Sequence, residues 1–437
     1  MKIVLISTYE LGRQPFGLAS PAAILRARGH EVVTLDTAAE PARAEPLRDA
    51  GLVAFFLPMH TATRLAVPLI GKVRALNPKA RICCYGLYAV LSAEFLRTLG
   101  AGAILGGEYE TGLLRLASGE DPGVPDPPGR TEFLTPDRSG LPPLDRYAKL
   151  AIAGGERITG YTESSRGCKH SCRHCPVVPV YRGTFRAVPA AVVLADIRRQ
   201  VEAGAQHITF GDPDFFNGPA HALRIVEALS REFPAVTYDV TIKIEHLLRH
   251  RDALPVLART GCVLITSAVE SVDDAVLARL DKGHTRADFK RAVELCRANG
   301  LALSPTFIPF TPWTTRESYC ELLRVLAKLD LVENVSPVQL ALRLLIPAGS
   351  LLSELEEIRG VMQPFDPAAL VHRWSHPDPA MDRLADDALR LVAAAGSRKH
   401  SRTATFRQLW ELAAGSPPDF HLPARTTIPY LTEPWYC

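Results

Sequence analysis

The sequence predicts an α/β protein in three parts. A doubly wound, Rossmann-like parallel sheet covers residues 1–118, an α/β barrel, partial or full, covers 161–347, and a mainly helical region with an extended tail covers 348–437. Three observations predict this. The first 118 residues alternate apolar runs of five to seven residues with amphipathic stretches, the pattern of strands buried on both faces between helices. A second strand–helix alternation begins at Tyr161, and each of its repeats is βα, which suits a barrel. After about residue 350 the chain reads as mainly helical.

In chain order, KIVLIS (2–7) is the first strand and Pro21–Arg28 the first helix. EVVTLD (31–36) and LVAFFLP (52–58) follow as strands, then Ala66–Leu76 as helix and ARICCYG (80–86) as strand. A helix at Ser92–Leu99 and the short strand AGAILGG (101–107) complete the sheet. Open α/β sheets bind ligands at the carboxyl ends of their strands. The loops there are Thr8–Gly17, Met59–Thr63, Gly86–Tyr88 and Gly106–Glu108. Residues 119–160 hold PGVPDPPG and SGLPPLDRY and read as a Pro-rich linker with little regular structure. The barrel strands read HITFGD (207–212), TYDVTIKI (237–244), VLITSAVE (263–270), ALSPTFIPF (302–310) and VQLALRLLIP (338–347). Helices such as Ala190–Glu202 and Arg286–Ala298 lie between them, and Met381–Ala394 and Thr403–Ala414 follow. The chain ends in PARTTIPYLTEPWYC, read as extended.

Composition narrows the function classes. Lys plus Arg is 50 against 47 for Asp plus Glu, and a net charge of +3 over 437 residues argues against a general electrostatic nucleic-acid binder. No apolar run reaches the length of a membrane span. The start, Met1-Lys2-Ile3-Val4-Leu5-Ile6-Ser7, is too short for a signal peptide and reads as a buried strand. Nine cysteines is an odd number without a secreted disulfide pattern, so the expected compartment is the reducing cytoplasm.

Three of those cysteines carry the chemistry. Cys168, Cys172 and Cys175 stand in Arg166-Gly167-Cys168-Lys169-His170-Ser171-Cys172-Arg173-His174-Cys175-Pro176, the spacing C-x3-C-x2-C. Three thiolates can hold three irons of a [4Fe-4S] cube and leave the fourth open as a Lewis-acidic site. A cluster used only for electron transfer normally takes four cysteines. The alternative is zinc, which wants a closed tetrahedral set with His170 or His174 as fourth ligand. Zinc sites, however, usually come as two C-x2-C halves.

The loop resembles the signature of the radical SAM superfamily. There the open iron binds the amine and carboxylate of S-adenosylmethionine (SAM), and the reduced cluster breaks a C–S bond. Two later segments extend the resemblance over roughly residues 161–347 and imply a partial (β/α)6 barrel. Gly211-Asp212-Pro213-Asp214-Phe215-Phe216 is similar to the D-x-x-F segment near the methionine end of SAM. Ser267-Ala268-Val269-Glu270-Ser271 with Leu280-Asp281-Lys282-Gly283-His284-Thr285 is similar to the ribose-contacting strand and its K-G-x-T turn. The resemblance therefore assigns Asp212, Pro213, Asp214, Phe215 and Glu270 to SAM, and implies a flavodoxin- or ferredoxin-type electron donor.

Residues 1–118 resemble the cobalamin-binding domain often fused before this barrel. The D-x-H-x-x-G motif, whose His ligates cobalt, is not present. Cobalamin then either binds without a protein ligand or does not bind. His60 is a candidate substitute, although a lone His at a strand end is more often a hydrogen-bonded loop residue. Gly86, Gly106 and Gly107 are candidate ligand contacts, and tight βα turns also require glycine there. The whole chain is also similar to a narrower group of radical SAM proteins whose tails end in Cys-Cys or Cys-selenocysteine followed by Ala-Glu-Pro. The resembling stretches are STYELGRQPFG, LPMHTATRLA, GGEYE, ESSRGCKHSCRHCP, TIKIEHLL and FTPWTT. Here Cys437 is the last residue and a candidate catalytic thiol: either the chain ends there in a cysteine, or, as the resemblance implies, a UGA codon read as selenocysteine carries it further, which sequencing the locus past Cys437 tests.

The expected function is SAM cleavage with methyl transfer to a small molecule through cobalamin. The alternatives are transfer of the 3-amino-3-carboxypropyl group to an arsenic, selenium or sulfur substrate, and a non-catalytic iron–sulfur redox or sensing protein. Other residues divide between site and core. Cys83 and Cys84 lie in a predicted central strand with side chains on opposite faces, so both are expected in the core, as are Cys262, Cys296 and Cys320. Lys243 and Glu245 fall in a predicted strand, with His246 just after; at least one is expected either in the barrel mouth or facing solvent. Arg343 is a candidate carboxylate holder inside the barrel, and Trp313 either stacks on a ligand or plugs the packing.

Overall fold

The computed structural model describes residues 1–120, 132–422 and 427–433. Five parallel strands form the first sheet: β1 (Lys2–Ser7), β2 (Glu31–Asp36), β3 (Leu52–Phe56), β4 (Arg81–Tyr85) and β5 (Ala103–Leu105), in the order β2-β1-β3-β4-β5. The chain winds outward from β1 in both directions, so the sheet's switch point lies between β1 and β3. Alternation sends Ile3, Leu5, Ala54 and Cys83 to one core and Val4, Ile6, Val53 and Cys84 to the other. The vicinal cysteines therefore sit in two separate apolar layers, where burial pushes both thiols well up.

The first helix is longer than its sequence suggests. It runs Phe16–Ala27, with Pro21 inside. Proline lacks the N–H that would bond the Gly17 carbonyl four residues back. The buried Tyr85 hydroxyl donates to that carbonyl instead, at 2.8 Å, so the helix survives its proline.

The second sheet is a curled half-barrel. Strand β6 (Lys149–Ile152) turns back as β7 (Gly155–Thr162), and a small ribbon of β8 (Ser165–Gly167) and β9 (Phe185–Ala187) carries the cysteine loop. Strands β10 (His207–Phe210), β11 (Thr237–Thr241), β12 (Cys262–Glu270) and β13 (Ala302–Phe307) complete the parallel run β7-β10-β11-β12-β13. Antiparallel β6 extends the β7 edge, and the tail adds its own strand beyond β6, Tyr430 opposite Ala151 and Leu431 opposite Leu150.

Three expectations are corrected here. The linker is not unstructured over its last third, because Ile152 and Gly155 close a hairpin that starts the barrel. TYDVTIKI is not one strand: β11 stops at Thr241 and a helix, Ile244–Arg249, begins at once, so Lys243 is that helix's extended N-cap. VQLALRLLIP is not a sixth strand. Pro337–Leu340 is a 3-10 turn, and only a bridge between Phe310 and Arg343 survives of the pairing. The C-terminal region holds helices Pro379–Ser397 and Arg402–Ala414, each capped by a side chain, Asp378 and Ser401. It also contains an unpredicted hairpin, Met362–Asp366 with Val371–Trp374. No helix among the described residues is long and apolar enough to cross a membrane.

Candidate active site at the carboxyl ends of the two sheets

The cysteine loop is held from both sides. Asp212, at the end of β10, accepts from the Ser164 amide at 2.8 Å, the Ser164 hydroxyl at 2.7 Å and the Ser165 hydroxyl at 2.6 Å. Burial lifts its pKa to about 6, against those three bonds. Asp212 thus fixes the strand entering the loop, and its oxygens are already engaged. Gly167 has φ +76, and a Cβ there would lie 2.4 Å from the Tyr181 ring, so glycine is required just before Cys168. On the far side Asn217 receives the Lys169 amide at 3.2 Å, the Ser171 hydroxyl donates to Asp281 at 2.6 Å, and the Arg173 guanidinium donates to the Arg279 carbonyl at 2.8 Å.

Cys168 and Cys172 are buried and Cys175 half-buried, and all three are free thiols. Burial raises Cys168 and pushes Cys175 up to about 12. Lys243 Nζ lies 3.6 Å from Cys172 Sγ. Three thiols gathered in one loop suit a cationic metal cluster, whose charge deprotonates its ligands on binding. Cys83, Cys84, Cys262 and Cys296 are buried elsewhere and Cys320 is half-buried on a helix, so no fourth cysteine among the described residues is assigned to the loop. The donor set fits a [4Fe-4S] cluster with one open iron.

Glu270 ends β12 at φ +69, a left-handed conformation rare for a side chain of this size. The register against β13 slips between Ala268 and Glu270. Together these turn the carboxylate onto His174 Nε2 at 3.1 Å and Lys282 Nζ at 3.4 Å. Burial alone would raise its pKa, but Lys282 and His174 outweigh it and bring it down to about 2. Glu270 is therefore an anion that only accepts. His284 is the reverse case, since burial, then Lys282 and Lys243, lower it to about 4. Lys282 and His174 were missed as a pair with Glu270, although K-G-x-T and the cysteine loop each contained one of them.

The remaining candidates scatter. Asp214 caps the turn Phe215–Asn217 through the Phe216 amide at 3.1 Å. Phe215 is buried against Phe210, ring centroids 5.0 Å apart, and belongs to the barrel core. Pro213 reaches the cavity described below. Arg343 does not point into the barrel: it lies 3.8 Å over the Trp374 ring and bonds Asp382 at 2.6 Å, because the missing sixth strand lets it turn to the C-terminal hairpin. Trp313 packs in a small cluster with Arg279 above it. His60 opens helix His60–Leu76, and its Nε2 lies 2.6 Å from the Ala369 carbonyl. Cys437 lies outside the described residues.

Between the two sheets lies a cavity of about 160 Å³. Gly86, Gly107, Tyr109, Tyr161, Glu163 and Arg166 are among its lining residues, whereas Gly106 faces Val180 and Val90. A Cβ on Gly107 would lie 2.3 Å from the Tyr181 ring, so this glycine lets the first sheet approach the cysteine loop. Arg166 joins the two sheets, pairing with Glu110 at 2.7 Å and Glu163 at 2.8 Å. Burial lifts Glu163 to about 7, with Arg166 opposing. The GGEYE segment (106–110) was the sequence signal for this contact, through Glu110. The volume is below the roughly 300–1,000 Å³ of ordinary ligand sites. It suits a small substrate.

Comparison with known proteins agrees with this geometry. Residues 162–326 match the radical SAM superfamily model. Hopanoid C-3 methylase of Methylococcus capsulatus is 25% identical over 347 residues, covering 74% of this chain and 66% of that protein. The tRNA-2-methylthio-N(6)-dimethylallyladenosine synthase of Chlorobium limicola is 28% identical over 193 residues, 42% of this chain and 43% of the relative. The chain thus spans under two thirds of these curated relatives. Among solved structures, the radical SAM methyltransferase TsrM from Kitasatospora setae, with cobalamin and a [4Fe-4S] cluster bound, superposes with a TM-score of 0.63 at 15% identity, over 94% of this chain and 99% of that one. The cobalamin-dependent radical SAM enzyme OxsB, with aqua-cobalamin and SAM bound, gives 0.68 at 14% identity, over 90% and 67%. At these identities the likeness is one of fold: a doubly wound sheet, a radical SAM half-barrel and a helical C-terminal region.

Proposed function

We propose that this chain, whose residues 162–326 match the radical SAM superfamily, cleaves SAM reductively and transfers a SAM-derived methyl group to a small molecule held between its two sheets. The observation that carries the reading is the three-cysteine loop lying beside the Glu270–Lys282–His174 group, with a cavity lined by Arg166 and Gly167 where the loop begins. Cys168, Cys172 and Cys175 would hold a [4Fe-4S] cluster, which when bound and reduced would supply the electron for SAM cleavage. Glu270, kept anionic by Lys282 and His174, accepts the two ribose hydroxyls. Asp212 keeps Ser164 and Ser165 in place and so aims the loop. Tyr109, Tyr161 and Tyr181 wall the cavity against water, which protects a primary alkyl radical from quenching. Glu163, near pKa 7, can hold or release a proton at the substrate. The sheet order and the bound cofactor of the solved neighbours support cobalamin as methyl carrier. None of these residue roles runs through it. A single-electron donor of the flavodoxin or ferredoxin type would serve the cluster.

One observation favours a second reading, aminocarboxypropyl transfer to a thiophilic arsenic, selenium or sulfur substrate. Glu433, four residues before Cys437, pairs with Arg13, which lines the cavity. Product analysis separates the two. Reconstituted protein given SAM, a reductant and hydroxocobalamin is expected to yield 5′-deoxyadenosine with S-adenosylhomocysteine. Methylthioadenosine without 5′-deoxyadenosine would replace the first reading by the second. SAM left intact by fully loaded protein across a panel of substrates would overturn both.

A further inference from the structure

Among the described residues, one group of three or more His, Cys, Asp or Glu ligand atoms converges within 4.8 Å: His170, Asp214 and His246. We propose that this trio is a mononuclear site for a divalent first-row transition ion, separate from the cysteines and clipping their loop to the barrel. The three side chains come from three different segments. His170 stands midway between Cys168 and Cys172, Asp214 follows β10, and His246 is in the helix after β11.

The atoms facing one another have only one another. His170 Nε2, Asp214 Oδ2 and His246 Nδ1 are each buried and find no partner outside the trio. Asp214 is fully buried and His246 is 4% exposed. His246 Nδ1 is only 2.7 Å from Asp214 Oδ2, and His170 Nε2 is 3.6 Å from it. Both rings therefore converge on one carboxylate oxygen from two different segments. Three buried polar atoms that meet with no outside partner are a donor set that one ion can satisfy together. Ligands about 2.0–2.1 Å from a tetrahedral ion lie about 3.3 Å apart. The observed separations of 2.7 and 3.6 Å bracket that value.

The surroundings complete the pattern. Glu245 Oε2 lies 3.6 Å from the other ring nitrogen of His170, which places a second carboxylate beside the trio. Asp214 Oδ1 is occupied by the Phe216 amide, so the carboxylate is fixed with Oδ2 forward. Two imidazoles and one carboxylate suit zinc or ferrous iron, and leave room for a water.

The test uses the full chain with its cluster already in place. Anaerobically reconstituted protein is incubated with zinc, desalted and analysed for metals. One zinc per chain beside an unchanged four irons is expected. Asp214→Asn, which keeps the turn cap, and His246→Gln should each lower zinc affinity at least a hundredfold while the iron and sulfide content stays. No zinc in the wild type overturns the site. Zinc gained at the expense of iron, or zinc retained by both variants, also overturns it. Should either variant fail to fold, zinc X-ray absorption on the wild type decides: nitrogen and oxygen ligands without sulfur support the site, and sulfur ligands overturn it. Iron content and SAM cleavage are read separately, so failure here leaves the proposed function standing.

Discussion

The two sheets face each other with very different edges. At the carboxyl edge of the first sheet several groups are engaged within the chain: His60 is bonded to Ala369, Gly107 lies against Tyr181, and Glu110 pairs with Arg166, although Ser7 Oγ and Glu10 Oε2 are buried there without a hydrogen bond. At the mouth of the half-barrel the groups suited to an outside ligand gather. Three free thiols, the converging His170, Asp214 and His246, and a Glu270 held at positive φ all sit there. A fold satisfies its buried polar groups unless something outside the chain does so. The first edge is tied mainly to the rest of the chain and lines the cavity, and the second gathers the groups suited to hold a cluster and its ligand.

The largest effect should come from removing a cluster ligand. Cys168→Ala, Cys172→Ala or Cys175→Ala is expected to abolish 5′-deoxyadenosine formation, by about a thousandfold or more. An electrostatic contact worth ~4 kcal/mol already costs about that. Iron per chain should fall together with activity, while the far-UV spectrum of the folded sheets stays unchanged. Full activity in any of the three would remove the distinction between the two edges.

Arg166→Ala comes next, because Arg166 ties one edge to the other. It leaves Glu110 and Glu163 buried without their cation, and breaking a buried pair in this way costs about 3–5 kcal/mol. Urea unfolding measures it. Loss below about 1 kcal/mol would mean that the two sheets are not joined through this residue.

How far the sequence carried depended on which physical signal each element leaves. Strands β1–β5 were legible because burial on both faces writes continuous apolar runs, and even the vicinal Cys83 and Cys84 followed from alternation alone. The cysteine loop was legible because its spacing has few other uses. Pro21 misled, since a proline ends a helix on local grounds and only a distant Tyr85 hydroxyl rescues it. TIKI and VQLALRLLIP misled for a related reason. An apolar run does not say whether it pairs or turns, and the half-barrel stops pairing after β13. Glu270 was found from its motif, but its partners were not, because Lys282 and His174 reach it across 12 and 96 positions of chain.

Glu270→Gln should act at the mouth alone. Replacing the anion keeps the shape and removes the charge that Lys282 and His174 hold, and hydrogen bonds to a charged group are worth about 1.5–3 kcal/mol. SAM affinity is expected to fall ten- to hundredfold by calorimetry. The same group gives a pH dependence. Its folded pKa, about 2, lies below its ordinary value of 4.5, so its contribution to stability is complete above about 4.5 and is lost as pH falls toward 2. In Glu270→Gln that part of the acid unfolding curve should flatten. An unaltered curve would mean that the pairing with Lys282 and His174 does not form in solution.

His60→Ala tests the first edge and should have the smallest effect. The ring's bond to the Ala369 carbonyl is one neutral hydrogen bond, worth about 0.5–1.5 kcal/mol. Burial lowers the His60 pKa, so the neutral ring is the form that packs, and this contribution holds above about pH 6.5 and fades as pH falls. Hydroxocobalamin added to wild type and variant should give the same absorption spectrum, because a ring committed to a carbonyl is not a cobalt ligand. A spectrum that shifts in the wild type but not in His60→Ala would reverse the comparison. It would make the packed edge a ligand site that opens, with His60 leaving Ala369 to reach the metal.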